Sequence, residues 1–332
     1  MTDTAQEFTY LAVTRPGLRQ NQLTTRPIGD PKHGILIGVD QRGERRILFP
    51  PGRSRLVPWS TAALRLRSTG WTDGQREQRF LELVCAEPTL NEAFCLLADD
   101  LVDRLTEAGS DDPYPVLASV LDEWEQMFAR RRPALSEAEQ LGLFVELDLL
   151  LTLSAVSPLA ALKAWTAAQP GLSLRDFNGN GRGVEVKALS ARTGGAVTVH
   201  GLDQLDPTTP GLHLHVGRVE QSPTGQTLRD KVEELAQSGF PRGLLYRALS
   251  ARGYVPPEEG AESDELALSI SERLTWKLEP SMPLLGRDDL SETKRAAVSG
   301  LQYSVAVSAL GEPLTESQFK LLCHSILGGA VV

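Results

Sequence analysis

The chain has 332 residues, and its 43 acidic residues outnumber its 34 lysines and arginines, which gives a formal net charge of −9. This charge excludes a histone-like protein that coats nucleic acid through bulk positive charge. Hydrophobic residues make up 41% of the chain and charged residues 23%, as in ordinary globular proteins. The three cysteines, Cys85, Cys95 and Cys323, have no CxxC spacing, which predicts reduced buried thiols.

No apolar run reaches the roughly 20 residues that a membrane-spanning helix needs. The best candidate, residues 147–156, is about half that length and contains Asp148. The first residues lack a basic segment followed by an apolar one, so we expect no signal peptide. The sequence therefore predicts a cytoplasmic protein with no membrane partner.

Short apolar runs separated by turn residues dominate the first part of the chain. Residues 63–68 alternate between apolar and polar side chains, as expected for a half-buried strand. The predicted strands cover residues 34–40, 45–49, 63–68 and 79–85. We therefore predict a small antiparallel β lobe over residues 1–88.

Helical periodicity replaces this alternation after residue 88. Ser136 and Glu139 form a capping-box pattern, which indicates that a helix begins at Glu137. The predicted helices cover residues 91–106, 115–131, 137–156 and 158–168. We assign residues 89–135 to a helical connector.

The rest of the chain mixes strands and helices. Predicted strands cover residues 172–177, 183–189, 196–200, 212–219, 268–279 and 301–309. Predicted helices cover residues 227–238, 241–251 and 315–327. This order predicts an α/β (α+β) core over residues 136–332, with a mixed central sheet flanked by helices and a C-terminal extension.

Two apolar strands meet across a turn rich in Gly and Asn in residues 174–187, a pattern typical of a β-hairpin. Glu185 and Lys187 are two positions apart in the second strand, so they point to the same face. Asp176, at the end of the first strand, can reach that face across the hairpin. Two carboxylates on adjacent strands form an oxygen site suited to Mg²⁺. A Lys ammonium beside them can orient an attacking water.

An Asp at the end of one strand, followed by Glu-x-Lys in the next, resembles the PD-(D/E)XK superfamily of restriction-type nucleases. The resemblance implies a restriction-endonuclease-like core in residues 136–332 and a Mg²⁺-dependent endodeoxyribonuclease, in which Mn²⁺ can replace Mg²⁺. It implies that Asp176 and Glu185 bind the metal ion, with the carbonyl of Val186 as a third ligand. It also implies that Lys187 assists the nucleophile.

Two neighbouring residues extend this resemblance. Glu146 lies on a helix just upstream, where many such nucleases place an additional metal-assisting Glu. Downstream, residues 197–199 and then Gln204 resemble the strand and the Gln that follow the Lys in one branch of the superfamily. The resemblance therefore adds Glu146 to the metal ligands, and both Glu146 and Gln204 to the catalytic residues.

The layout of nearly the whole chain, from residues 38–40 through Trp124 and Trp165 to the Glu-Val-Lys strand, resembles an uncharacterised full-length branch of this superfamily. Members of that branch are encoded among bacterial phage-defence genes, near an ATPase and a mismatch-type endonuclease. Arg175 departs from the pattern, because the superfamily name has Pro there and the branch has His. Val145 stands in place of a Gly, and residues 166–170 replace an expected Gly-Pro.

Each candidate residue also has a purely structural interpretation. Glu185 and Lys187 could form an ion pair on the solvent face of a surface hairpin. Glu146 lies on a helix that is apolar nearly all round, and an arginine could satisfy its charge. Gln204 could cap the loop that precedes Asp206.

Histidines and arginines offer further candidate sites. His213 and His215 place two imidazoles on one strand face, but no third ligand arrives with a spacing useful for zinc. For these histidines we expect an exposed strand face, or phosphate contacts near the nuclease site. Arg65 and Arg67 share a strand face in an arginine-rich lobe, which indicates either a solvated β face or a platform for a phosphate backbone.

The sequence thus predicts an endonuclease, or a nuclease subunit, that cleaves DNA in a bacterial restriction or anti-phage defence system. A different class also fits the acidic composition: a non-catalytic scaffold or DNA-binding subunit of a defence complex with an ATPase partner. An RNA- or nucleotide-processing enzyme is a third alternative. The sequence leaves the oligomeric state open, a homodimer included.

Overall fold

The computed structural model describes residues 4–14, 22–53, 58–72, 77–109, 112–128, 135–165, 175–190, 194–256, 264–298 and 300–328. These residues fall into two compact units, residues 4–128 and residues 135–328. Within the described ranges, no helix combines the length and the hydrophobicity that crossing a bilayer requires. The three-part division into residues 1–88, 89–135 and 136–332 stays a prediction.

The first unit is built on one six-stranded antiparallel sheet with strand order β1-β2-β3-β6-β5-β4. Its strands are β1 (Leu23–Pro27), β2 (Leu36–Asp40), β3 (Arg45–Phe49), β4 (Trp59–Ser60), β5 (Leu64–Thr72) and β6 (Glu77–Cys85). Its helices are α1 (Thr4–Thr14), α2 (Asn91–Ala108) and α3 (Tyr114–Phe128). The four predicted strands correspond to β2, β3, β5 and β6.

Three elements of the first unit have weak sequence signals. α1 is short, and it is held by the burial of Phe8 and Leu11. β1 carries a polar sequence at the edge of the sheet, and β4 has two residues. Tertiary pairing rather than local pattern therefore determines these elements.

Carboxylates neutralise several arginines of this sheet. Glu82 is fully buried and accepts hydrogen bonds from Arg46 at 3.0 Å and from Arg67 at 2.6 Å. Arg65 lies 3.6 Å from Glu44. Arg65 and Arg67 remain half-exposed, as expected for a solvated β face whose positive charge is locally balanced.

The second unit contains two sheets. Its strands are β7 (Phe177–Gly179), β8 (Arg182–Leu189), β9 (Ala196–His200), β10 (Leu212–Gln226), β11 (Leu268–Lys277) and β12 (Gln302–Ala306). Its helices are α4 (Glu137–Ser154), α5 (Pro158–Ala164), α6 (Leu228–Gln237), α7 (Arg242–Ala251), α8 (Glu292–Ala297) and α9 (Glu316–Ile326). The main sheet is mixed, with order β11-β10-β8-β7, because β8 and β10 are parallel while the outer pairs are antiparallel. This confirms the predicted α/β class with a mixed sheet.

The core of the second unit joins the main sheet to the small antiparallel sheet of β9 and β12. Val197 and Val199 of β9 are buried in the same cluster as Leu214 and Trp276 of the main sheet. These apolar contacts hold β9 and the loop after it beside β8. The segment that carries Gln204 is thereby fixed close to the Glu-Val-Lys strand.

Helix α4 supports β8 from one side. Its start matches the predicted capping box, since the Ser136 hydroxyl accepts from the Glu139 N–H and the Glu139 carboxylate accepts from the Ser136 N–H. The apolar residues of α4 lie on nearly all sides of the helix, and most of them are buried, as in helices that are covered on several sides. Two acidic residues, Glu146 and Asp148, are buried among them.

Several boundaries differ from the predicted ones. α5 ends at Ala164, a few residues early, and β7 begins only at Phe177. The predicted end of α3, residues 129–131, lies outside the described residues. Residues 172–174 of the predicted strand over 172–177 lie outside the described residues. The prediction is wrong for Arg175 and Asp176, which form a bend before β7. β10 is longer than predicted and runs to Gln226, and Gly225 lets its backbone pass close to that of Leu268.

Candidate active site

A tight hairpin sets the geometry of the predicted site. β7 pairs with β8 in the register Phe177 with Val184 and Gly179 with Arg182, which leaves Asn180 and Gly181 as a two-residue turn. Both turn residues have positive φ, 49° and 72°, as a type I′ turn requires. The Asn-Gly sequence supplies the two residue types that adopt this conformation most readily. The predicted hairpin is therefore confirmed.

Asp176 lies next to the first strand of this hairpin, one position beyond its last paired residue. Continuation of the register places it opposite Glu185. Its Oδ2 accepts a hydrogen bond from the backbone N–H of Val186 at 2.8 Å. The neighbouring strand thus fixes the direction of this carboxylate, which is 15% exposed.

Glu185 and Lys187 contact each other on one face of β8, as their spacing predicts. Nζ of Lys187 lies 3.0 Å from Oε1 of Glu185. The pair is not on an open solvent face, because Glu185 is 3% exposed and the Lys187 side chain 16%. The hairpin face therefore carries a buried ion pair, which is costly to form without further partners.

The electrostatics of Glu185 reflect crowding of negative charge. Burial, followed by the charge of Asp176, raises the pKa of Glu185 to about 8. The positive charges of Lys187 and Arg175 oppose this rise. A buried carboxylate with a second one beside it forms a set of oxygen donors that a divalent cation would stabilise.

Gln204 joins the site through its side-chain amide. Its Nε2 donates to Oε1 of Glu185 at 2.6 Å, and its Oε1 accepts from the backbone N–H of His200 at 2.8 Å. These two contacts fix the orientation of the amide. Gln204 therefore braces the loop after β9 and also holds the Glu185 carboxylate.

Glu146 reaches the same region from α4. Its Oε2 accepts from Nε1 of Trp165 at 2.8 Å and from Nε of Arg252 at 3.0 Å. Burial, with a smaller contribution from the charge of Asp176, raises the pKa of Glu146 to about 7, although Arg252 opposes the rise. The structural alternative, a buried Glu paired with an arginine, is what the contacts show.

Arg252 is the site residue that the sequence did not reveal. It lies at the end of α7, and its Nη2 is 2.5 Å from Oε2 of Glu146 and 2.5 Å from Oδ1 of Asp176. One guanidinium thus joins the helix carboxylate to the hairpin carboxylate. No local motif marks Arg252 as a site residue. The sequence indicated only that some arginine could pair with Glu146.

Three of the predicted metal ligands lie close together on the hairpin. Asp176 directly precedes β7, and Glu185 lies opposite it on β8. Val186 follows Glu185, and its backbone N–H donates a hydrogen bond to Asp176. Within the described ranges, no three His, Cys, Asp or Glu side chains are grouped as ligands of one metal ion. The two-carboxylate set of Asp176 and Glu185 fits a cation that takes its remaining ligands from backbone and water oxygens.

The expectation of an exposed strand face at His213 and His215 is wrong. Both are buried, because β10 is an inner strand of the main sheet and is covered on both faces. Nδ1 of His215 lies 2.8 Å from the Thr275 hydroxyl, and its ring stacks on Phe319 at 5.7 Å. Burial lowers the pKa of His215 to about 4, so the ring is neutral and packs as part of the core.

Comparison with known protein families gives one match to the chain. The model of the DUF4420 family, described as "Putative PD-(D/E)XK family member", matches residues 4–308 of the chain. No curated protein and no solved structure gives a significant match. The family match confirms the resemblance that Asp176, Glu185 and Lys187 indicate in the sequence.

Proposed function

Because the chain belongs to the DUF4420 family of PD-(D/E)XK proteins, we propose that it is a Mg²⁺-dependent phosphodiesterase that cleaves DNA. The observation that carries this proposal is the contact of Lys187 with Glu185 on a buried hairpin face, opposite Asp176. A surface hairpin would leave such an ion pair in water. A buried cluster of this composition is more typical of a site that binds charged ligands.

Asp176 and Glu185 would hold the cation, with the Val186 carbonyl as a further oxygen ligand, and Mn²⁺ would replace Mg²⁺. When bound, the ion would polarise the scissile phosphate and favour ionisation of a nearby water. The protein prepares this site by fixing Asp176 through the Val186 N–H and Glu185 through Gln204. These contacts orient both carboxylates before the cation arrives.

Lys187 would orient the attacking water and stabilise negative charge on the phosphate oxygens in the transition state. Its ammonium is mostly buried, so its charge acts with little screening by solvent. Glu185 holds Nζ at 3.0 Å, which restricts the lysine to one side of the site. Glu146 would hold Arg252 beside Asp176, and Trp165 would fix the Glu146 carboxylate.

Plasmid cleavage with Mg²⁺ or Mn²⁺ tests the proposal. We expect the wild type to convert supercoiled DNA, and Asp176→Asn and Lys187→Ala to lose about 100-fold or more in rate, as for loss of a principal catalytic group. Lys277→Ala is the matched control, because Lys277 is an exposed lysine of the same sheet. Equal cleavage by Lys187→Ala and Lys277→Ala would show that the assignment is wrong.

We also propose that the nuclease works in bacterial restriction or anti-phage defence, with an ATPase or another defence subunit as partner. The family-wide resemblance of the sequence supports this context. Plaque assays on a strain carrying the wild-type or the Lys187→Ala gene test it. Protection that depends on Lys187 supports a nuclease in defence, whereas no protection by the wild type argues against the defence role.

One observation favours a non-catalytic alternative. Arg252 pairs with Asp176, and Lys187 pairs with Glu185, so protein cations neutralise both carboxylates without a metal ion. A scaffold or DNA-binding subunit of a defence complex would need nothing more from these residues. Full protection by the Lys187→Ala strain would favour this scaffold, and a panel of DNA, RNA and nucleotide substrates would identify a different processing activity.

A further inference from the structure

A cleft of about 480 Å³ lies along the β7–β8 hairpin, within the range typical of ligand sites. We propose that this cleft binds the phosphate backbone of the DNA strand beside the scissile phosphate, with Arg182 and Arg175 as its phosphate contacts. The inference rests on the proposed function, because it assigns the substrate contacts that flank the same site.

The lining of the cleft is cationic in a chain whose net charge is −9. Arg175 and Arg182 contribute positive charge, and Asn178, Asn180 and Thr209 contribute uncharged polar groups. None of the described residues that line the cleft is acidic. A concave surface with arginines and no carboxylate favours a phosphate ligand over a cation.

The position of the cleft relative to the carboxylates follows from the register of the hairpin. Asn178 and Gly183 pair directly, and both line the cleft. Gly183 is two positions before Glu185 on β8, so the two residues share one face, about 7 Å apart. This spacing would place a phosphate in the cleft close to the scissile phosphate on the same strand.

Arg175 connects the cleft to the catalytic residues. It precedes Asp176 directly, and its Nη1 donates to the backbone carbonyl of Gln204 at 2.8 Å. Gln204 in turn contacts Glu185. A phosphate group in the cleft would therefore bind to a residue that is already anchored to the site.

Glycine at position 183 leaves room for the Arg175 and Asn178 side chains beside the hairpin backbone. A Cβ there would lie 3.2 Å from Cγ of Arg175 and 3.2 Å from Oδ1 of Asn178. These distances are shorter than ordinary van der Waals contact, so a side chain at 183 would push both groups aside. The glycine thus lets Arg175, one of the two proposed phosphate contacts, pack closely against the hairpin backbone.

Arg182 is the cation available to a substrate. It is exposed at the start of β8, and among the described residues no carboxylate pairs with it. An unpaired exposed arginine binds phosphate without first breaking an ion pair. Its loss would remove one phosphate contact without leaving a buried charge.

Fluorescence anisotropy with a labelled DNA duplex tests the cleft on the full chain in EDTA, so that binding is measured without cleavage. For Arg182→Ala we expect weaker binding and a slope of log K against log salt reduced by about 1. With one phosphate contact fewer, the loss of affinity between 50 and 200 mM salt should be about threefold smaller. Arg295→Ala is the matched control, because Arg295 is an exposed arginine of α8 that does not line the cleft.

The outcomes separate this inference from the proposed function. If the wild type binds and cleaves DNA while Arg182→Ala and Arg295→Ala bind with equal affinity and equal salt slope, the cleft assignment is wrong and the nuclease proposal stands. If the wild type neither binds nor cleaves DNA, both proposals are wrong. A reduced slope for Arg182→Ala alone, with an unchanged melting temperature, supports the cleft.

Discussion

Nη2 of Arg252 lies 2.5 Å from Oδ1 of Asp176, although 76 positions separate the two residues in the sequence. The same guanidinium contacts Glu146, so it is the positive partner of two carboxylates in a partly buried site. An arginine in this position competes with any cation that Asp176 would bind, because both are attracted to the same oxygen. Arg252 would therefore weaken the binding of a metal ion at Asp176.

We predict that Arg252→Gln binds Mn²⁺ about tenfold more tightly than the wild type. Removal of a neighbouring positive charge stabilises a divalent cation by about 1–2 kcal/mol at a partly solvated site. Isothermal titration calorimetry of the metal ion alone gives the affinity without reference to cleavage. Arg295→Ala serves as the control, and an unchanged or weaker affinity in Arg252→Gln would show that Arg252 positions Asp176 instead of competing for it.

A second prediction concerns the buried charges of α4. Asp148 is 4% exposed and pairs with Lys231 at 3.1 Å and with Arg273 at 2.6 Å. These contacts join α4 to α6 and to β11. Asp148→Asn would leave the buried Lys231 with only the more exposed Glu234, at 3.4 Å, as its carboxylate partner, so we expect the free energy of unfolding to fall by about 3 kcal/mol. Urea denaturation measures this change.

The control for Asp148 is an exposed ion pair in the main sheet. Glu272 pairs with Arg218 at 3.0 Å, and both side chains are more than 40% exposed. Glu272→Gln should cost less than about 1 kcal/mol, because solvent screens an exposed pair. Similar losses of stability in the two variants would contradict the role assigned to Asp148.

The parts of the site that depend on residues close in the chain could be predicted from the sequence. The Asn180-Gly181 turn and the alternation of β8 together place Glu185 and Lys187 on one face, and both are local patterns. The Ser136 cap likewise fixes the start of α4. Such features are decided within a few residues by backbone preference and side-chain period.

The parts that depend on sheet order could not be predicted. The burial of His213 and His215 follows from the inner position of β10, which is known only once β8 and β11 are paired to it. Arg252 reaches the site because α7 packs near the hairpin, and no periodic pattern records that contact. Contacts between distant segments are set by the packing of whole elements and not by local propensity.

Gln204 gives a third prediction, which rests on the proposed function. It contacts Glu185 and acts through it, so Gln204→Met should lower the cleavage rate about tenfold, consistent with the loss of one hydrogen bond to a charged group. DNA affinity in EDTA should not change, because the amide does not reach the cleft lining. A variant with the wild-type cleavage rate would contradict the positioning role.

The last prediction concerns the pH dependence of stability at His215. Burial is the main cause that lowers its pKa to about 4 from an ordinary value of 6.5, while the charge of Asp148 opposes the shift and that of Arg273 adds to it. The unfolded state therefore binds a proton at a higher pH than the folded state does, and acid favours unfolding. The stabilisation is complete above about pH 6.5 and is lost as the pH falls towards about 4.

Urea unfolding at a series of pH values measures this loss. The wild type should lose about 3 kcal/mol more than His215→Gln between pH 7 and pH 4, because a pKa difference of about 2.5 corresponds to that free energy. His200→Gln is the control, since His200 is an exposed histidine of the same unit. If the profiles of His215→Gln and the wild type run parallel, the neutral buried state of His215 is wrong, and a charged ring must be accommodated between Thr275 and Phe319.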